Sequence, residues 1–184
     1  MSKIPYLSSP GNIAKAFAAI KTVATPARVS QDFVKTKLGI TGGSGDQITT
    51  FLKRIGFAQA DGTPTDLYRA YRTSGKDGWA AAQAFRTAYR PLYEYNEYLH
   101  DCNDSDLKDI VIRHSGIDAG ARSLALIVNT MRNLIGLADF DSDEKDVEGH
   151  TVSSTFKREN SSDTTISQSR QNQIKETVSR LNIG

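Results

Sequence analysis

Gln47, Thr49, Thr50, Lys53 and Arg54 interleave with the apolar residues Ile48, Phe51, Leu52 and Ile55. On a helix the polar set would form an outward face opposite the packed one. Glutamine can pair adenine and arginine can pair guanine through two hydrogen bonds each, whereas threonine and lysine suit phosphates. Lys35 and Lys37 upstream, together with Arg28, could flank a nucleic-acid backbone. Any small helical domain also turns such residues to water, so both readings stand.

Other constellations fail on spacing. The Gly42-Gly43-Ser44-Gly45 run precedes a helical pattern, where free backbone N–H groups attract anions. It lacks the Gly-Lys-Ser/Thr ending of a phosphate loop and follows no clear strand, so it reads as a flexible turn. Asp139, Asp141 and Asp143 imitate the start of a calcium loop, but Glu144 and His150 stand where glycine and a bidentate glutamate are needed. His100, Asp101 and Cys102 are adjacent, and neighbours on a helix point different ways, so they make a poor nucleophile–base pair. His114 suits a helix C-terminus. Tyr89, Tyr93, Tyr95 and Tyr98 could stack bases, though around a kinked helix such residues more often pack. No catalytic residue, cofactor or metal site is expected; a pocket joining His100 or His114 to a carboxylate would reopen the enzymatic reading.

The elements that must position these side chains follow from periodicity and caps. Ser9-Pro10 reads as a helix start, with Ile13, Phe17 and Ile20 as its stripe, ending before Thr25-Pro26. Ser30 caps a second helix burying Phe33, Val34 and Leu38, with Gly39 to stop it. Ser44 and Gln47 have capping-box spacing, which predicts that the third helix begins there and ends at Gly56. Residues 57–65 contain Ala60-Asp61-Gly62-Thr63-Pro64, a tight-turn composition that predicts a small hairpin or turn. Leu67, Tyr68 and Tyr71 mark a short helix. Residues 73–78 form a connector; Trp79, Ala82, Phe85 and Tyr89 form the next stripe, and Pro91 kinks it or restarts it at Leu92. A further helix starts at Asp104 or Ser105 and stops at Ser115-Gly116. Asp118 is placed to cap the last, whose core face is Leu124, Ile127, Val128, Met131, Leu134 and Ile135.

This order contains an echo. Ile55-Gly56-Phe57-Ala58 and Ile135-Gly136-Leu137-Ala138 end two long helices about eighty residues apart, and Ile48, Phe51 and Ile55 match Val128, Met131 and Ile135. The expected fold is mainly α: a winged-helix-like helix-turn-helix module over residues 1–75, then a second related helical module over 76–140 packed on the first. Residues 141–184 are poor in apolar side chains and are expected to form a disordered polar tail, with a short helix around Gln173–Leu181.

The net charge of +2 hides an asymmetry. Residues 1–75 hold 10 Lys/Arg against 4 Asp/Glu, a balance of +6. Residues 76–140 hold 7 against 9 and residues 141–184 hold 6 against 8, so each carries −2. The single cysteine, Cys102, excludes an internal disulfide. No apolar run approaches the roughly 20 residues of a membrane span, and Met1-Ser2-Lys3-Ile4-Pro5 has no signal-peptide core, so a cytoplasmic location is expected.

Four short motifs carry a resemblance: Ser9-Pro10-Gly11-Asn12; Arg54-Ile55-Gly56-Phe57; Gly62-Thr63-Pro64-Thr65 with Tyr68-Arg69 and Tyr71-Arg72; and Leu137-Ala138-Asp139-Phe140. Over about residues 5–140 the chain resembles the prokaryotic domain-of-unknown-function family 5343. The resemblance implies a soluble bacterial or archaeal helical protein of a mobile-element or phage-defence setting, with no catalytic residue to carry over. It also implies a further strand-and-helix segment beyond the polar stretch, so a truncated chain is expected. Two functions follow as expectations: a non-enzymatic DNA-binding protein using Arg28, Lys35, Lys37, Gln47, Thr49, Thr50, Lys53 and Arg54, or a protein-interaction adaptor using the second module or the tail.

Overall fold

Seven helices and one 3-10 turn make up residues 4–142, the part of the chain that the computed structural model describes. They are α1 (Asn12–Thr22), α2 (Gln31–Thr36), α3 (Gly42–Arg54), α4 (Asp66–Tyr71), α5 (Asp77–Tyr89), the 3-10 turn Arg90–Leu92, α6 (Asp104–Ser115) and α7 (Arg122–Ile135). Almost all of the expected tail, with its short helix and Asp143, lies outside the described residues.

Local chemistry sets most boundaries as the sequence predicts. Ser30 caps α2 by accepting a hydrogen bond from the Phe33 N–H at 3.1 Å. Gly116 ends α6 in the left-handed region, φ +66°. Pro91 sits within the 3-10 turn that follows α5.

Three expected starts move. Ser9 contributes its carbonyl and not its hydroxyl to the turn before α1, which begins at Asn12. The α3 helix begins at Gly42 and not at Ser44, so the glycine run is its first turn. The reason is packing: a Cβ on Gly45 would stand 2.3 Å from the Ile40 carbonyl oxygen and 3.0 Å from the Lys35 side chain. Glycine there lets α3 pass close to the end of α2, which no larger residue permits. Asp118 does not cap α7 either; it accepts from the Gly120 N–H at 2.7 Å, and α7 starts after Ala121.

After α3 the chain reverses through a small turn. Ala58 and Pro64 form an antiparallel bridge, and the Gln59 N–H donates to the Thr63 carbonyl at 2.9 Å. The Val29 N–H, just before α2, donates to the Gly62 carbonyl at 2.7 Å, tying a third extended segment to this turn.

Burial of apolar side chains from every helix in one continuous cluster supplies the main driving force. Phe17 of α1, Phe57, Tyr68 and Tyr71 form one aromatic group, with Phe17 to Tyr71 centroids 4.8 Å apart. Burial pushes the Tyr68 and Tyr71 hydroxyls up to about 12. Phe85, Tyr89, Tyr93 and Phe140 form another. The α7 helix packs against α1, α5 and α6 at once. The segment preceding α1 is stitched across the fold: the Leu7 N–H donates to Thr130 Oγ1 at 3.1 Å, and the Tyr89 hydroxyl donates to the Pro5 carbonyl at 3.2 Å.

Candidate nucleic-acid interface

The outward face of α3 carries Asp46, Gln47, Thr50, Lys53 and Arg54. Thr49 does not belong to it. Only 7% of Thr49 is exposed, and its hydroxyl donates to the Gly45 carbonyl at 2.8 Å. The close approach at Gly45 rotates the packed arc of α3 toward α2 and carries Thr49 inside with it.

The remaining candidates are exposed or half-buried, and several already have partners. Gln47 Oε1 accepts from the Ser8 N–H at 2.9 Å and the Ser8 hydroxyl at 2.8 Å, which leaves its amide N–H groups as the available donors. Thr50 donates to the Asp46 carbonyl at 3.1 Å. Lys35 pairs with the Asp46 carboxylate at 2.8 Å, so its charge is locally offset. Lys53 donates to the Ala60 carbonyl at 2.8 Å, and Arg28 reaches the Asp61 carbonyl at 3.5 Å. The Ala60 carbonyl does not offset the charge of Lys53, whereas Arg28 also stands near the Asp61 carboxylate. Lys37 is exposed at the end of α2.

Lys53 and Arg28 therefore meet on the same exposed turn although they come from α3 and from the segment before α2. The turn itself is internally braced. Asp61 accepts from the Thr63 N–H at 2.9 Å and from its hydroxyl at 2.8 Å, and these bonds, with Arg28, hold its carboxyl below the usual range.

Sequence reasoning missed four participants. Asp46 faces outward at i, i+4 from Thr50, a position its spacing alone could have revealed. Tyr6 and Ser8 lie along α3, where Tyr6 lines two clefts together with Gln47 and Arg54. Arg90 shares a third cleft with Arg54, and no local pattern connects residues that far apart in sequence.

The other constellations resolve into packing. The His100 ring stacks on Phe140 at 4.1 Å, and its Nε2 stands 3.6 Å from the Asp101 carboxylate. The Cys102 thiol bonds to neither: it lies 3.1 Å from Asn96 Nδ2 and 3.6 Å from the Tyr98 carbonyl. Burial pushes that thiol up, the opposite of what a nucleophile needs. His114 meets Tyr95 edge to face at 5.9 Å. Asp139 accepts from the Asp141 and Ser142 N–H groups, closing a turn with its own backbone. Tyr89 is buried and out of reach of a base, whereas Tyr95 and Tyr98 are 45% and 60% exposed. Among the described residues no three His, Cys, Asp or Glu side chains are grouped to hold a metal ion, and no helix is long and apolar enough to cross a membrane.

A family model described as a family of unknown function, DUF5343, matches residues 5–145. The chain belongs to the DUF5343 family. The match begins in the segment that lies along α3 and runs past the end of α7, so the family unit contains both copies of the echo. No curated protein and no solved structure matches this DUF5343 chain.

Proposed function

We propose that this protein is a non-enzymatic DNA-binding protein of winged-helix type, with α3 as the helix that enters the major groove. The observation that carries the reading is the convergence of Lys53 and Arg28 on the exposed 59–63 turn. A helix that reads base edges needs flanking cations to fix it on the two backbones, and a braced basic turn beside it is suited to that task. The order α1, extended segment, α2, α3, turn, with Val29 and Ala58 both pairing into the turn, supports the wing. Gln47, Thr50 and Arg54 would face the bases, and Lys37, Lys53 and Arg28 the phosphates. Lys35 acts through Asp46, which it neutralises. The family resemblance and the single thiol favour a prokaryotic cytoplasm and a mobile-element or phage-defence setting.

Four phosphate-facing or groove-facing cations (Arg28, Lys37, Lys53 and Arg54) imply that log affinity for duplex DNA falls with log salt at a slope of about −4. Fluorescence anisotropy with a labelled duplex measures it. Arg28→Glu combined with Lys53→Glu should lower affinity by about tenfold or more and flatten the slope by about 2. An unchanged affinity in that double variant sinks the proposal.

A second reading rests on Tyr95 and Tyr98, exposed beyond the 3-10 turn. Exposed aromatics are enriched at protein interfaces, so this edge suits an adaptor that touches no nucleic acid. A reproducible protein partner lost in Tyr98→Ala, with no duplex binding by the unaltered chain, would decide for it.

A further inference from the structure

The end of α3 meets the end of α5 in a cleft of about 380 Å³ whose lining shares only Arg54 with the groove-facing surface. Arg54 enters it from the last turn of α3 and Arg90 from the first residue of the 3-10 turn. Gly56 sets this juxtaposition: it turns the chain at φ +83°, and a Cβ there would stand 3.4 Å from Thr87 Cγ2. Thr87 also lines the cleft, and Ile4, Pro5 and Leu92, all buried, supply apolar walls. The bond from the Tyr89 hydroxyl to the Pro5 carbonyl fixes two of the walls relative to each other. No carboxylate lines the cleft. No ion pair or side-chain hydrogen bond ties Arg90 to another described residue.

Two guanidinium groups of permanent charge, a hydroxyl and apolar walls together recognise an anion that carries an apolar body. Among anions, the arginine fork matches phosphate oxygens in pairs. The volume falls in the roughly 300–1,000 Å³ range of small-ligand pockets, enough for one nucleotide. We propose that this cleft binds a nucleotide unit, with Arg54 and Arg90 on its phosphate, Thr87 beside them, and the sugar and base against Ile4, Pro5 and Leu92. The unit is either a free mononucleotide or one nucleotide of a DNA strand. Arg54 is shared with the proposed duplex surface, but the cleft does not require α3 to bind a duplex.

The test uses the full chain and a residue outside the duplex surface. Adenosine monophosphate is titrated calorimetrically, and labelled single-stranded and duplex oligonucleotides by anisotropy, against the unaltered protein, Arg90→Glu, Arg90→Lys and Thr87→Val. Arg122→Glu, an exposed charge reversal on α7, measures the long-range electrostatic effect alone. Arg90→Glu should weaken binding about tenfold or more beyond Arg122→Glu, with Arg90→Lys between, because lysine keeps the charge and loses the fork. Loss for the mononucleotide assigns the site to a free ligand; loss confined to oligonucleotides assigns it to a strand. Failure of all three ligands to bind overturns the proposal, as does an Arg90→Glu effect no larger than that of Arg122→Glu. The Arg28→Glu, Lys53→Glu double variant separates the two surfaces, since it weakens duplex binding and leaves the mononucleotide affinity unchanged.

Discussion

The two copies of the echo, α3 and α7, carry matched apolar positions and have become different helices. Offset by eighty residues, Gln47 stands opposite Ile127, Arg54 opposite Leu134, and Thr50 opposite Thr130. In both helices that threonine donates to the carbonyl four residues earlier, Asp46 in one and Leu126 in the other. Thr50 is exposed. Thr130 is buried and also accepts the Leu7 N–H. The terminal glycines part company as well: Gly56 turns the chain at φ +83°, whereas Gly136 stays right-handed at φ −64° and the chain coils on through Leu137 and Ala138. Packing against three helices has widened the buried arc of α7 to include Ile127, Thr130 and Leu134, whereas the matching Gln47, Thr50 and Arg54 of α3 stay exposed. Similar letters fix a common core-facing stripe, and the neighbours decide everything else.

The largest expected effect comes from exchanging the faces. Leu134→Arg places a charge without a partner in a fully buried site and should cost about 3–5 kcal/mol, a large share of the roughly 5–15 kcal/mol that holds a typical domain. Arg54→Leu at the matching, exposed position should cost clearly less, about 1 kcal/mol or under, as read from urea unfolding curves. Equal losses at the two sites would show that the α3 face is packed as tightly as that of α7.

A smaller contrast lies in the paired threonines. Thr130→Val strands the buried Leu7 N–H and should destabilise by about 1–3 kcal/mol. Thr50→Val removes only a back-bond at the surface and should change the same urea curve by less than about 0.5 kcal/mol.

The glycines should differ least. Gly56→Ala forces a side chain into the left-handed region and against Thr87, costing about 1–2 kcal/mol. Gly136→Ala has an ordinary helical φ and should be neutral or slightly stabilising through the lower entropy of the unfolded chain. Thermal melts of the two variants compare them directly; a Gly136→Ala loss as large as that of Gly56→Ala would mean the two helix ends are equivalent after all.

The sequence made the helices and most stops legible because caps and glycines act locally: Ser30, Gly56 and Gly116 do what their types predict. It placed Arg54, Lys53 and Gln47 on one outward face for the same reason, since the 3.6 period follows from Ile48, Leu52 and Ile55. It misjudged Thr49 and the start of α3, because both depend on how closely Gly45 passes Ile40, a fact of packing between helices. Asp118 read as a cap from type alone, and its carboxylate found the Gly120 N–H first. The union of Arg54 with Arg90, and of Gln47 with Ser8, had no local signal, since each joins segments far apart in the chain.

The bonds that anchor the first described residues have a consequence for the order of assembly. Leu7 waits for Thr130, 123 residues later, and Pro5 waits for Tyr89, 84 residues later. A ribosome delivers Pro5 and Leu7 well before it delivers the helices that hold them. The segment before α1 must therefore stay unplaced until α5 and α7 have been made, and contacts of such long separation slow the final step of folding relative to that of a helical bundle built from neighbours.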